Sequence, residues 1–191
     1  AAAPSRRPEL AEQLKRLYDP KDPAASLVRG CTTNPPLSLA AVKSDPAFWN
    51  DCIDDLIQSH RDLDLREVAW LTYKEVVRRG AEMMLPIWQA SHGRYGWISG
   101  QLDPRLFVET AIMIAQAEEL RSLCPNVMIK VPASTQGIDV LQALAAKGIS
   151  TNTTTCFTLP QILASARATA AGLHLVQKGS YYVPETVDLS K

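Results

Sequence analysis

The stretch Asn126–Thr135 reads NVMIKVPAST, and the fold turns on it. Val127, Met128, Ile129 and Val131 are apolar and Pro132 ends the run, the pattern of a short strand buried on most sides. Lys130 stands in the middle. Lysine is almost never fully buried without a partner or a task. The strand therefore raises the question of why it carries an ammonium group.

Outward from it the chain alternates. Leu27–Pro35, LVRGCTTNP, is short, β-branched and ended by Pro-Pro, so it reads as a strand running into a loop. Gly96–Pro104, GWISGQLDP, is the next strand. Ile149–Phe157, ISTNTTTCF, is a fourth, rich in β-branched residues. Between them lie helical patterns. Pro8–Tyr18 carries Leu10, Leu14 and Leu17 at helical spacing, and Asp45-Pro46 caps a helix reaching His60. A helix follows Asp64 and is closed by Gly80, and a separate one covers Ala81–Gln89. Arg105–Leu123, Gly137–Ala146 and Leu159–Gly179 complete the set; Ser180–Lys191 has no assignment.

Four strands alternating with helices argue for βα units and a parallel sheet. No glycine-rich phosphate fingerprint of the Rossmann or P-loop kind is present. A repeating βα unit with polar residues at its strand ends fits an α/β fold of the (β/α)8 TIM-barrel type, where chemistry sits at the C-terminal ends of strands. About four units are recognisable where eight are expected. The whole chain, 1–191, is thus expected to be a single barrel domain that lacks terminal strands.

Bulk properties narrow the function. The chain has 191 residues, room for one domain with a sizeable core, and 46% hydrophobic residues favour a folded globule over disorder. Lys plus Arg equals Asp plus Glu at 20 each, so net charge gives no case for nucleic acid or an anionic membrane as partner. No apolar run approaches the roughly 18 residues of a membrane span. The opening AAAPSRRPEL is too polar for a secretory signal. Its Ala/Ser/Arg content sets a plastid location as the alternative to the cytoplasm. Cys31, Cys52, Cys124 and Cys156 are far apart, with no CxxC pair and no nearby His, so reduced buried thiols are expected and no metal site.

The polar residues fall at strand ends. The first strand ends in Thr32-Thr33-Asn34, the second carries Ser99, Gln101 and Asp103, the third Lys130, and the fourth Thr151 to Thr155 with Asn152. Alternation places Asn152 and Thr154 on one face. A lysine among Asn, Gln and Thr has hydrogen-bond partners but no carboxylate, and such a pocket lowers an amine's pKa by desolvation. A neutral amine attacks a carbonyl to form a Schiff base. The other reading is a strand lysine that reaches solvent or joins an ion pair. Spacing leaves both open.

The wording of the motifs goes further. GCTTNPPLS, GWISGQLDPRL and IKVPASTQGIDVLQALAAKGISTNTTTCFTLPQ resemble, in order and with similar gaps, three signatures of the transaldolase family, over roughly residues 28–165. The resemblance implies a class I aldolase barrel with no metal and no organic cofactor, acting on a sugar phosphate in carbohydrate metabolism. It implies Lys130 as the Schiff-base lysine. Asn34 and Asn152 would then hold the hydroxyls of a dihydroxyacetone unit, with Thr32 beside them as a substrate-binding residue. Thr154 would hold the water that shuttles protons.

Three departures qualify the resemblance. Transaldolases carry Glu where this chain has Gln101, which orients a water but cannot exchange a proton; the fructose-6-phosphate aldolase branch also has Gln there, so weight moves toward aldol cleavage. The family's first-strand Asp has no counterpart: Asp19 and Asp22 lie too near Asn34 for a βα unit to intervene. No Arg follows Arg167, so the phosphate-binding Arg is missing. Either the sequence is a piece of a longer protein, the preferred explanation, or it is a shortened relative. The shortened relative would need a second copy or a complementary chain to cover its sheet edges, and would serve as an assembly or regulatory partner.

Overall fold

The computed structural model describes residues 12–13, 17–19, 22 and 25–177. Its elements run β1 (Gly30–Thr32), α1 (Pro35–Ser44), α2 (Pro46–Ser59), α3 (Leu65–Ala90), β2 (Trp97–Gln101), a 3-10 turn (Pro104–Leu106), α4 (Thr110–Ser122), β3 (Val127–Pro132), α5 (Thr135–Ala146), β4 (Thr151–Thr154) and α6 (Leu159–Gln177). All four expected strands are present. The strand order in the sheet is β1-β2-β3-β4. An order that never reverses is that of consecutive units of a (β/α)8 barrel, whereas a doubly wound sheet reverses at a switch point. Most of the helix expected at Pro8–Tyr18, and the tail from Ser180, lie outside the described residues.

The chain divides into two compact units, Ala1–Ile98 with Cys124–Asn126, and Ser99–Leu123 with Val127–Lys191. In the first, Asp45 caps α2 as its spacing predicts, its carboxylate accepting from Phe48 N–H at 3.3 Å. Asp64 and Glu67 form a capping box that starts α3. That helix does not stop at Gly80, where the sequence suggests a boundary. A Cβ on Gly80 would lie 2.4 Å from Ile98 Cδ1, so the glycine serves close packing against β2 and not termination. The separate helix expected at Ala81–Gln89 is the second half of α3, and its proline, Pro86, sits inside the helix. A further difference is α1. Asn34-Pro35-Pro36 reads as a break, yet Asn34 is an N-cap that accepts from Leu37 N–H at 2.8 Å, with proline at N1. The buried Asn126 donates from Nδ2 to the Ala81 and Gly96 carbonyls, both at 2.8 Å, and so joins α3 to the entrance of β2.

The second unit holds β3, β4 and helices α4 to α6. Val127, Ile129 and Val131 have no exposed surface, while Met128 and Lys130 on the opposite face are partly exposed. The strand is therefore dry on one face only, not on most sides as its composition suggests. Val140, Leu141 and Leu144 of α5 are equally buried. Helix α4 starts later than expected, at Thr110, because Asp103 turns the chain first by accepting from Arg105 N–H at 3.0 Å. Gly148, at φ 68, closes α5. The four cysteines are free, but only Cys124 is buried; Cys31 is exposed and Cys52 and Cys156 are intermediate. The expected burial thus holds for Cys124 alone.

A Cβ on Gly137 would lie 1.8 Å from the Pro132 carbonyl oxygen, so Gly137→Ala must push α5 off the end of β3. It should cost about 2 kcal/mol or more in urea denaturation. In the first unit Glu75 accepts from Arg78 and Arg79, and the Arg78 hydrogen bond, opposed by burial, holds its carboxyl below the usual carboxylate range. A lowered folded pKa stabilises above the unfolded pKa, and that contribution fades as pH falls through the folded value. Glu75→Gln should therefore melt earlier than the parent at neutral pH, and the gap should close toward pH 3 on acid titration.

Candidate active site

The site is built on the partly open face of the second unit. Strand β4 lies parallel to β3 in the register Lys130↔Asn152 and Pro132↔Thr154. Register partners share a face, so Lys130, Asn152 and Thr154 project together. On the other side of β3, Leu102 N–H donates to the Lys130 carbonyl at 3.4 Å. In a parallel ladder this puts Gln101 beside Lys130. Gln101, Lys130 and Asn152 thus form a row across three adjacent strands. The buried Ser99, two residues before Gln101 and on the same face, accepts from Asn152 Nδ2 at 3.0 Å. Among the described residues, no carboxylate forms an ion pair with Lys130.

Hydroxyl and amide groups surround this row, and the acids are turned elsewhere. Asp103, at the C-terminal end of β2, is buried and spends its carboxylate on Arg105, at 2.5 Å from Nη2. The Asp103 backbone N–H donates to Gln116 Oε1 at 3.1 Å. The strand ends then turn sharply. Ala133 N–H donates to the Thr154 carbonyl at 2.9 Å, continuing the ladder one step past β3. Thr155 follows at φ 52, a left-handed conformation that a β-branched residue rarely adopts. Chemically, such a face can hold a polyhydroxylated molecule by hydrogen bonds and offer it one amine.

Of the six residues that the sequence marks out, four belong to this face: Gln101, Lys130, Asn152 and Thr154. The other two belong to the first unit. Thr32 ends β1 and is exposed. Asn34 is partly buried and its side-chain oxygen is spent on the α1 cap, which leaves its amide N–H groups for other use. The first unit also has a groove of about 450 Å³ between α2 and α3, lined by Phe48, Cys52, Glu75 and Arg79 among others, and no residue of the row contributes to it. Sequence reading noted Ser99 as polar but gave it no role; its signal was its alternation with Gln101.

Comparison with known proteins places the chain in a family. A family model described as transaldolase/fructose-6-phosphate aldolase matches residues 15–184. The chain belongs to the transaldolase/fructose-6-phosphate aldolase family. Members of that family are (β/α)8 barrels, and the four βα units described above are part of one. Among curated relatives, Transaldolase 1 of Streptomyces avermitilis is 34% identical over 152 residues, 78% of this chain and 39% of the relative. The transaldolase of Thermobifida fusca is 33% identical over 153 residues, covering 79% and 41%. That of Mycobacterium leprae is 35% identical over 148 residues, covering 76% and 37%. The chain therefore matches about two fifths of the length of these transaldolases. No helix among the described residues is long and apolar enough to cross a membrane.

Ser99→Ala removes the oxygen that accepts from Asn152 Nδ2. A partly buried amide left without that partner should cost about 1–2 kcal/mol, measured by urea denaturation.

Proposed function

We propose that this chain carries the Schiff-base half of an enzyme that transfers or cleaves off a dihydroxyacetone unit of a sugar phosphate. The observation that carries the reading is the row Gln101, Lys130 and Asn152 on adjacent strands, in a chain of the transaldolase/fructose-6-phosphate aldolase family. The relatives' name, transaldolase, supports the same chemistry.

In this mechanism the Lys130 amine attacks the ketone carbon of a ketose phosphate. The carbinolamine hydroxyl takes up a proton and leaves as water, giving an iminium. The iminium draws in the electron pair of the neighbouring carbon–carbon bond as the hydroxyl on the departing fragment loses its proton. An aldose phosphate leaves and an enamine remains. Addition of the enamine to a second aldose, then hydrolysis, completes transfer; protonation of the enamine, then hydrolysis, completes aldol cleavage. No metal or organic cofactor enters these steps.

Asn34 and Asn152 are assigned the hydroxyls of the three-carbon unit, and Thr32 a further part in substrate binding. Thr154 is assigned the water that carries protons between steps. Gln101 orients that water without exchanging a proton itself, which favours aldol cleavage over transfer. The protein acts in the cytoplasm, with a plastid as the alternative; a second copy or a complementary chain is the partner only if the chain is a shortened relative.

Incubation with dihydroxyacetone or fructose 6-phosphate, followed by borohydride, should leave a reduced adduct on Lys130, located by peptide mass spectrometry. Lys130→Met should abolish it. If the parent chain gives no adduct, or Lys130→Met traps equally well, the alternative takes over: a non-catalytic relative serving assembly or regulation.

A further inference from the structure

The segment FTLPQ, Phe157–Gln161, ends the longest family-like motif, and nothing in the mechanism above uses its glutamine. Gln161 is the third residue of α6. Its Oε1 accepts from Thr158 N–H at 3.1 Å, from Phe157 N–H at 3.0 Å and from the Thr158 hydroxyl at 3.1 Å. Its own N–H meets the Thr158 hydroxyl at 3.5 Å. Thr158 and Gln161 thus make the reciprocal cap that starts many helices. The remaining half of the amide does something a cap does not need. Nε2 donates to the Ala133 carbonyl at 3.1 Å and to the Thr155 carbonyl at 3.3 Å.

Those two carbonyls mark the ends of β3 and β4. Ala133 follows Pro132, three residues after Lys130; Thr155 follows Thr154 directly. Thr155 is also the β-branched residue at φ 52. Such a conformation persists only where its surroundings hold it. One amide therefore ties together the two strand ends that carry the lysine and the row beside it, and fixes the strained turn behind Thr154.

The choice of glutamine points the same way. Glutamate completes a cap of this kind equally well, and its charge suits a helix N-terminus better. Glutamate has no N–H to give, and its oxygen would face two carbonyl oxygens. The cap accounts for an oxygen at this place. Only the strand-end bonds account for the nitrogen.

We propose that Gln161 is a positioning residue for the Lys130 chemistry, acting through the Thr154–Thr155 turn. This rests on the Schiff-base reading above. The test compares Gln161→Glu, which keeps the cap and loses both strand-end bonds, with Thr158→Ala, which weakens the cap and keeps them. The rate of borohydride-trapped adduct on Lys130 is followed against dihydroxyacetone concentration, with helix content by circular dichroism. Gln161→Glu should retain its helix, and its limiting trapping rate should fall about tenfold or more, as expected for a misplaced reacting group, with little change in the half-saturating concentration. Thr158→Ala should melt a few degrees earlier and trap at the parent's rate. If Gln161→Glu proves the less stable of the two, Gln161→Met, neutral and of similar length, replaces it with the same expectation. A parent-like trapping rate in these glutamine variants, or an equal loss in Thr158→Ala, overturns the inference alone. No adduct on the parent chain overturns it together with the Schiff-base reading.

Discussion

The register between β3 and β4 is the constraint on which the rest depends. It pairs Lys130 with Asn152 and Pro132 with Thr154. Because side chains alternate with a period of two, a slip of one residue would send Lys130 to the helix-covered face and Val131 to the open one. Burial prevents this. Val127, Ile129 and Val131 have no exposed surface, and full burial of such side chains contributes roughly 1.5–3 kcal/mol each. Three of them outweigh any register that exposes them, since a whole domain is stable by only about 5–15 kcal/mol. The apolar face of the strand thus decides where its one amine points.

Part of the polar face is held by hydrogen bonds of its own. Asn152 and Ser99 are hydrogen-bonded, and the buried carboxylate nearest in sequence, Asp103, is engaged by Arg105. An acid locked to a guanidinium one turn away does not compete for the lysine. Gln161 extends the same principle to the loops: one amide meets carbonyl and N–H groups that the turns leave over. Each of these contacts also fixes the position of the groups that it joins.

Much of this was legible along the chain. Short apolar and β-branched runs between turn signals marked all four strands, Asp45 and Asp64 announced their helices, and the lysine inside a strand marked out the candidate site. The errors have physical causes. Gly80 signals a helix end to any reading of local propensity, but here it makes room for Ile98, 18 residues later in the chain. Asn34-Pro35-Pro36 signals both a break and a start, because proline that ends a strand also suits the first turn of a helix. Thr158-x-x-Gln161 is readable as a cap, whereas the reach of its amide to Ala133, 28 residues earlier in the chain, is not.

By itself the sequence determined the order of strands and helices, the family, and the residue types that an amine-centred chemistry needs, because period-two burial and short capping patterns are local and survive in one dimension. Tertiary structure alone decided which residues share a row, that β3 is dry on only one face, that Ser99 bonds Asn152, and that Gln161 reaches the ends of β3 and β4. Those facts depend on strand register and on contacts between distant segments, and such contacts are fixed by packing, not by any spacing along the chain.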